Sequence, residues 1–298
     1  MLKRVVTSCL EIAYEERGDS QKPAVILLHG FPDDVRTWDG VVEGLVPTGY
    51  RTVVPYLRGF GPTRFLDSST PRSGQLSALT QDAIEFADAL SMDRFFLVGH
   101  DWGARAAYNI AALWPERVLA LVALSVGYGT NVPKQNLSFA QASAYWYQWY
   151  FGLEQGQMAL ETDRRNLCRY LWQTWSPAWK FDDEMFETTA KSWDNPDFVQ
   201  VSIHSYRHRW GNADGDPRYD ELEKRLSDTP KIAVPTTVLH GKDDGATLPE
   251  TSEGKEHLFS SDYIRRVIPD AGHFLPREKP AEVIKAILKH EVLIGWLS

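Results

Sequence analysis

Short apolar runs alternate with stretches of helical spacing along most of the chain. Apolar runs of about four to eight residues without a polar face are typical of strands buried on both faces of a parallel sheet. On this basis we predict strands at residues 24–28, 52–55, 95–98, 118–126, 236–239 and 263–268. Apolar residues recur with helical spacing at residues 75–90, 104–113 and 280–290. This alternation predicts an α/β fold with a mostly parallel, doubly wound sheet.

Two stretches depart from this alternation. Residues 4–16 alternate between apolar and polar positions, which predicts a hairpin of two exposed strands. Residues 130–229 contain no strand-like run, and seven of the eleven tryptophans fall there. We interpret this stretch as a helical cap (lid) inserted into a core formed by residues 1–129 and 230–298. Open parallel sheets place their binding crevices at the carboxyl edge, so we expect the cap to cover that edge.

Composition narrows the class of protein. Of the 298 residues, 43% are hydrophobic and 24% are charged, which is ordinary for a globular protein. A net charge of −8 without any block of lysine or arginine argues against a nucleic-acid partner. No apolar run has the length of a membrane span or a signal peptide, so we expect a soluble, cytoplasmic protein that binds no membrane. Cys9 and Cys168 lie far apart in no metal spacing, and we expect reduced thiols with neither a disulfide nor a zinc site.

The chemistry centres on the pentapeptide Gly99-His100-Asp101-Trp102-Gly103. It stands between the predicted strand at 95–98 and the predicted helix at 104–113. A small residue two positions before and two positions after a central nucleophile, at a strand-to-helix turn, is the nucleophile-elbow pattern. The glycines are needed because strand and helix pass so closely that a side chain at either position would clash. The carboxylate of Asp101 would attack saturated carbon and leave an ester on the enzyme, unless it only caps the helix.

Three further motifs, each after a predicted strand, carry a resemblance. They are His29-Gly30-Phe31-Pro32, Gly241-Lys242-Asp243-Asp244 and Gly272-His273-Phe274. Together with the pentapeptide they resemble the oxyanion loop, the acid loop, the histidine loop and the elbow of α/β-hydrolases that carry a helical cap. The elbow aspartate is similar to that of the epoxide hydrolase and haloalkane dehalogenase branch. Four short motifs in the order of this family form a far more specific signal than any one of them.

The resemblance implies a two-step reaction. Asp101 would form a covalent alkyl ester, and His273 would take a proton from the water that hydrolyses it. An imidazole with an ordinary pKa of about 6.5 is a suitable base near neutral pH. Asp244 would hold the other ring nitrogen and stabilise the imidazolium. Only the spacing from Gly241 favours Asp244 over the adjacent Asp243 for this part.

The resemblance also implies an oxyanion hole. Hydrolysis of the ester passes through a tetrahedral intermediate that needs hydrogen-bond donors. The fold should supply the backbone amides of Phe31 and Trp102. Pro32 has no amide hydrogen, and we expect it to position Phe31 through a constrained, cis bond.

Two tyrosines of the cap decide which substrate we expect. An epoxide opens to a developing alkoxide, and a phenol with a pKa of about 10 is protonated at neutral pH yet able to assist it. The segments around Tyr147 and Tyr206 resemble the two cap segments that carry such phenols in epoxide hydrolases. The alternative is that both are aromatic filler in an aromatic-rich cap. Tyr145 and Tyr150 are the substitutes if the register of the cap differs.

These features favour a cofactor-free epoxide hydrolase that forms a vicinal diol from a small, largely apolar substrate, as a monomer or homodimer. The alternative is a haloalkane dehalogenase, in which the Trp102 indole would be one halide donor and a cap tryptophan the other. A fluoroacetate dehalogenase would carry arginine where Trp102 stands, and Arg105 alone gives it little support. A third class is a ligand-sensing protein that has kept a hydrolase fold. The presence of all three of Asp101, Asp244 and His273 argues against this class.

Overall fold

The computed structural model describes residues 2–19, 24–130, 132 and 134–293, with side chains up to residue 290. Within these ranges the chain forms one nine-stranded sheet. The strands are β1 (Leu2–Val6), β2 (Leu10–Arg17), β3 (Ala24–Leu28), β4 (Arg51–Pro55), β5 (Arg64–Phe65), β6 (Phe95–His100), β7 (Val118–Leu124), β8 (Thr236–Gly241) and β9 (Tyr263–Ile268).

The order of the strands is β1-β2-β4-β3-β6-β7-β8-β9, with β5 paired to β2. From β4 to β9 all neighbouring strands are parallel, whereas β1, β2 and β5 pair in antiparallel fashion. Every residue of β3, β6, β7 and β8 is buried, as expected for strands covered on both faces. The predicted α/β fold with a mostly parallel, doubly wound sheet is therefore confirmed.

Helices cover the two faces of the sheet. They are α1 (Asp39–Leu45), α2 (Leu76–Ala89), α3 (Trp102–Leu113), α4 (Phe139–Ala144), α5 (Trp146–Gly152), α6 (Glu154–Thr162), α7 (Arg164–Trp175), α8 (Asp183–Ala190), α9 (Phe198–Arg209), α10 (Asp220–Leu226), α11 (Leu275–Glu278) and α12 (Pro280–Leu293). One apolar core includes α2 and α3, and a second includes α1 and α12. The helices predicted at 75–90, 104–113 and 280–290 are confirmed, whereas the short α1 was not predicted.

The N-terminal hairpin is present, but only one of its strands is exposed. β1 lies mostly in solvent, whereas four residues of β2 are buried, Leu10 and Ala13 completely. The expectation of two exposed strands is wrong for β2. The physical reason is that β2 also pairs with β4, which places it inside the sheet and not at its edge.

Seven helices, α4 to α10, lie between β7 and β8, and no strand occurs in the described part of residues 130–229. The fully buried tryptophans Trp172, Trp175 and Trp193 belong to the same apolar core as Phe31 and Trp102. The helical stretch is thus packed continuously onto the sheet. The division of the chain into a core and a cap stays a prediction. No helix in the described residues is long and apolar enough to cross a membrane.

Candidate active site

Asp101 occupies a strained turn between β6 and α3. Its φ of 51° and ψ of −112° lie outside the regions that a residue with a side chain prefers. A Cβ at Gly103 would lie within 3.0 Å of the backbone carbonyls of Leu28 and His29, and one at Gly99 would meet the backbone of Gly103. The close approach of strand and helix therefore requires both glycines, as the sequence predicted.

The two carboxylate oxygens of Asp101 have different neighbours. Oδ1 accepts a hydrogen bond of 3.0 Å from the backbone amide of Phe31. Oδ2 lies 3.8 Å from Nε2 of His273. Only 6% of Asp101 is exposed. One oxygen is thus held by the loop after β3, and the other faces the imidazole.

His273 lies in the loop after β9 and is fully buried. Its Nδ1 is 2.9 Å from Oδ2 of Asp244, and its Nε2 has no hydrogen-bond partner among the described residues. Burial disfavours the imidazolium, but the nearby carboxylates of Asp244 and Asp101 outweigh this and raise the pKa of His273 above 6.5. The ring is therefore fixed on one side and free to exchange a proton on the side of Asp101.

Asp244 is the buried one of the two adjacent aspartates, and Asp243 is exposed. The backbone amides of Ala246 and Thr247 donate to its Oδ1 at 2.9 and 2.8 Å. Burial opposes ionisation, but His273 and the hydrogen bonds of the carboxylate hold the pKa of Asp244 well below its usual range. Asp244 is thus an anion at neutral pH with one oxygen directed at the imidazole.

The predicted oxyanion donors lie on either side of the turn. The Phe31 amide contacts Asp101, and the Phe31–Pro32 peptide bond is cis, as expected. Trp102 is the first residue of α3, and the first amides of a helix have no acceptor within the helix. The Phe31 amide thus already donates to the Asp101 carboxylate, and the Trp102 amide has no acceptor within its own helix.

Tyr147 on α5 and Tyr206 on α9 contact each other, and the charge of Asp101 acts on both. Their ring centroids are 5.5 Å apart in an edge-to-face arrangement, and both side chains are almost completely buried. Burial and the charge of Asp101 raise the pKa of both phenols well above 10, so both are protonated at neutral pH. The Tyr147 hydroxyl accepts a hydrogen bond of 2.8 Å from Nε2 of Gln148, which leaves its own hydrogen available for another acceptor. Tyr150, one of the two substitutes, is only half-buried and packs against Trp146.

The other substitute, Tyr145, is buried beside Tyr147, with ring centroids 6.3 Å apart. All seven residues that the sequence singled out come together in one buried site: Phe31, Asp101, Trp102, Tyr147, Tyr206, Asp244 and His273. The tyrosines come from helices about sixty residues apart, so only the packing of the helical stretch brings them to the sheet.

Two residues hold the histidine loop in place: His100, which the sequence suggested as a structural group, and Ser125, which it did not single out. Nε2 of His100 and Oγ of Ser125 both lie 2.7 Å from the carbonyl oxygen of His273. Burial lowers the pKa of His100 to about 4, so its ring is neutral and donates this bond through Nε2. Ser125 directly follows β7, and its place at the carboxyl end of a buried strand was the signal that could have revealed it.

Comparison with known proteins identifies the framework. The family model described as "alpha/beta hydrolase fold" matches residues 23–280. The chain belongs to the α/β-hydrolase family. This α/β-hydrolase is 37% identical to a candidate epoxide hydrolase from Klebsiella pneumoniae whose crystal structure superimposes with a TM-score of 0.93, covering 98% of this chain and 97% of that one.

Two relatives from Mycobacterium tuberculosis also resemble this α/β-hydrolase. Epoxide hydrolase A is 26% identical over 316 aligned positions, which cover 96% of this chain and 95% of the relative. Epoxide hydrolase B is 32% identical over 162 positions, which cover 49% of this chain and 45% of the relative. The resemblance to the epoxide hydrolase-like branch, stated from four motifs, is therefore confirmed.

Proposed function

We propose that this α/β-hydrolase is an epoxide hydrolase that opens an epoxide to a vicinal diol through a covalent ester on Asp101. The observation that carries the proposal is the pair of protonated phenols, Tyr147 and Tyr206, in one buried site with the Asp101 carboxylate. A phenol donates a hydrogen bond to an epoxide oxygen and a proton to the alkoxide it becomes. Serine esterase chemistry needs neither the phenols nor a carboxylate nucleophile.

The first step is an attack by Oδ2 of Asp101 on a ring carbon. Oδ1 is engaged by the Phe31 amide, so Oδ2, on the side of His273, is the free nucleophile. The new C–O bond forms as the ring C–O bond breaks, and the electron pair of that bond moves to the epoxide oxygen. Tyr147 and Tyr206 stabilise the developing alkoxide and supply its proton. Oδ1 becomes the carbonyl oxygen of the ester and already lies at an oxyanion donor.

The second step is hydrolysis of that ester. His273 takes a proton from water through Nε2, and the resulting hydroxide adds to the acyl carbon of Asp101. The negative charge develops on Oδ1, where the amides of Phe31 and Trp102 stabilise it. Collapse breaks the acyl C–O bond, so the diol leaves with Oδ2 and the carboxylate keeps the oxygen of the water. The imidazolium and the phenolate then exchange protons with the product and solvent, which restores the site.

The proposal is tested by trapping the ester. We expect His273→Ala to accumulate an adduct of the mass of the epoxide on Asp101, because the base for the second step is missing. In the unmodified enzyme, a single turnover in H₂¹⁸O should label Asp101 and leave the diol unlabelled. Intact-mass and peptide analysis measure both results. Turnover by Asp101→Ala, or ¹⁸O in the diol after one turnover, would overturn the mechanism.

The tyrosines need a test of their own. We expect Tyr147→Phe and Tyr206→Phe each to slow formation of the ester by about 10²-fold or more, since each removes a general acid. Tyr150→Phe, in which the phenol is half-buried outside the site, is the matched control and should react normally. Rapid-quench measurement of ester formation separates this effect from hydrolysis. Normal ester formation in the double Tyr147→Phe, Tyr206→Phe variant would contradict the proposed part of the phenols.

One observation favours a second candidate, haloalkane dehalogenation by the same nucleophile. The indole nitrogen of Trp175 is buried without a hydrogen-bond partner among the described residues, and the buried indole of Trp102 lies against the Tyr206 phenol. The Trp175 ring also lies 5.1 Å from that of His273, so both indoles border the reaction site. Two N–H donors are what a leaving halide requires. An Asp101 ester that forms from haloalkanes and not from epoxides in the His273→Ala variant would select this candidate.

A further inference from the structure

A cavity lined by two buried arginines lies outside the proposed reaction site. This cavity, of about 550 Å³, opens between α2, α3, α9, α10 and the loop after β7. Two arginines, Arg105 from α3 and Arg209 from α9, line it. Each is more than nine-tenths buried, with 5% and 6% of its surface exposed. The cavity therefore contains two guanidinium groups that are largely withdrawn from water.

Within the described part of the chain, neither guanidinium has a carboxylate partner. No Asp or Glu of the described residues lies within ion-pair distance of Arg105 or Arg209. Arg105 donates through Nη1 to the carbonyl and hydroxyl oxygens of Thr130, both at 3.0 Å. Arg209 makes one long bond of 3.5 Å to Ser205. The Nε atoms of both arginines have no partner in the part of the chain that the structure describes.

Other buried arginines of the molecule are paired. Arg58 donates to both oxygens of Asp82 at 2.6 and 2.7 Å, and Arg277 contacts both oxygens of Asp33. Burying an arginine without such a partner is unfavourable, because the lost hydration is not replaced. Burial and the charge of Arg209 accordingly lower the pKa of Arg105. The two guanidiniums thus form a site for a negative charge, because no carboxylate of the described residues pairs with either of them.

The position of the pair relates it to the proposed reaction. The Arg105 amide donates to the carbonyl of Asp101 at 3.1 Å, so Arg105 lies one helical turn beyond the nucleophile. The guanidinium of Arg209 lies 4.9 Å from the ring centroid of Tyr206. The charge of Asp101 also acts on the Arg105 guanidinium, so the pair lies in the electrostatic neighbourhood of the proposed nucleophile.

We propose that Arg105 and Arg209 bind a carboxylate carried by the epoxide substrate. The planar fork of a guanidinium matches a carboxylate, and charge-assisted hydrogen bonds are the strong ones. Glu223 also lines the cavity, but Ser77 and Gln75 donate to its carboxylate. Its negative charge disfavours an anion near α10 and directs a bound anion to the arginines. This inference rests on the proposed function and refines the expected substrate, which becomes an apolar epoxide with an acidic end.

The test compares carboxylates with uncharged analogues of the same shape. The substrates are (oxiran-2-yl)acetate, 3-(oxiran-2-yl)propanoate and 4-(oxiran-2-yl)butanoate, each beside its primary amide. We expect the enzyme to favour one carboxylate over its amide by about tenfold to a hundredfold in kcat/KM, mainly through KM, as expected for charged hydrogen bonds. In Arg105→Gln and in Arg209→Gln, the ratio of kcat/KM for the carboxylate to kcat/KM for its amide should fall towards one. This ratio is compared, and not the rate itself, because Arg209 also contacts Tyr206 and its loss could slow both substrates.

Arg225→Gln is the matched control. Arg225 is an exposed arginine of α10 that contacts Leu113 and Trp114 outside the cavity. Its loss removes one positive charge without touching the pair, so the ratio should not change. A ratio of one or less for all three pairs of substrates in the unmodified enzyme would overturn the proposal, and so would a ratio that survives both substitutions in the pair.

A binding measurement separates this proposal from the proposed function. Calorimetry with hexanoate and hexanamide, which carry no epoxide, should show binding of the carboxylate alone, and Arg209→Gln should abolish it. If the protein binds hexanoate but hydrolyses no epoxide, the anion site is supported and the proposed function is wrong. If the protein hydrolyses epoxides without preferring carboxylates and does not bind hexanoate, the proposed function is supported and the anion site is wrong. If hexanoate accelerates hydrolysis of a neutral epoxide and does not compete with it, the arginines bind an anion that is not part of the substrate. That result would overturn the substrate proposal.

Discussion

At the scale of single residues, the site depends on which of two neighbouring carboxylates is buried. Asp244 is fixed by two backbone amides and contacts His273, whereas Asp243 points to solvent. Sequence could select between them only through the spacing from Gly241. The loop after β8 decides the matter, because it folds back so that the amides of Ala246 and Thr247 reach the carboxylate.

Substitution of this pair provides a matched comparison. We expect Asp244→Asn to slow hydrolysis of the Asp101 ester by about 10³–10⁴-fold, because the imidazolium loses its counter-charge and the ring its fixed tautomer. Asp243→Asn removes an exposed carboxylate and should have little effect. Rapid-quench measurement of the ester shows whether only the second step is slowed. Equal effects of the two substitutions would contradict the assignment of Asp244.

The ionisation of His273 should change during the reaction. Burial lowers its pKa, but Asp244 and Asp101 raise it above 6.5 in the free enzyme. The ester of Asp101 carries no charge, so one of these two carboxylates is lost and the pKa in the intermediate is lower than in the free enzyme. Because the base must be neutral, hydrolysis of the ester rises with pH through this lower pKa and then levels off.

Two measurements check that the pKa of His273 is higher in the free enzyme than in the ester intermediate. An NMR titration of the free enzyme should place His273 above 6.5, and the acid limb of ester hydrolysis should lie at lower pH. Asp101→Asn, which removes the charge but keeps the shape, should lower the pKa in the NMR titration as the ester does. An acid limb at or above the pKa of the free enzyme would show that Asp101 does not hold the proton on His273.

At the scale of elements, the turn between β6 and α3 depends on the approach of backbone to backbone. A methyl group at Gly103 would meet the carbonyls of Leu28 and His29, which cannot move without displacing β3. We expect Gly103→Ala to lower the free energy of unfolding by about 1–3 kcal/mol or more. Gly152, at the end of α5, has nothing within 4 Å of an added Cβ, so Gly152→Ala should be neutral or slightly stabilising. Chemical denaturation of both variants tests the difference, and equal stabilities would contradict the close contact.

The elements also show how much of the fold and of the site could be predicted from the sequence. Buried strands such as β3 and the turn at Asp101 were predictable, because apolar runs and glycine spacing are local signals. The burial of β2 was not, since it arises from pairing with β4, nearly forty residues away. The position of Arg209 beside Arg105 was equally out of reach. Residues a hundred positions apart line one cavity only in the folded chain, where Trp102 of α3 contacts Tyr206 of α9, and no local pattern predicts that contact.

At the scale of the whole molecule, one apolar core joins the sheet to the helices between β7 and β8. Trp172 of α7 illustrates this, because its ring packs on Phe274 of the histidine loop and its indole lies 3.4 Å from the carbonyl of Pro32. The helices between β7 and β8 therefore have no hydrophobic core of their own that could unfold separately from the sheet. We therefore expect thermal unfolding in a single transition, with equal calorimetric and van't Hoff enthalpies.

Substitution of tryptophans tests this shared core. Trp172→Ala opens a cavity at the junction and should lower the free energy of unfolding by about 3–5 kcal/mol. If the junction belongs to one cooperative unit, the single transition moves to lower temperature and does not split. Trp149→Ala, in which the ring is 40% exposed on α5, is the control and should shift the transition far less. Two separate transitions in the unmodified protein, or an early transition of the helices alone in Trp172→Ala, would show that the helical stretch unfolds on its own. The buried tyrosines could then leave Asp101 without disturbing the sheet, whereas a single transition means that Tyr147 and Tyr206 are held by the same cooperative unit as Asp101.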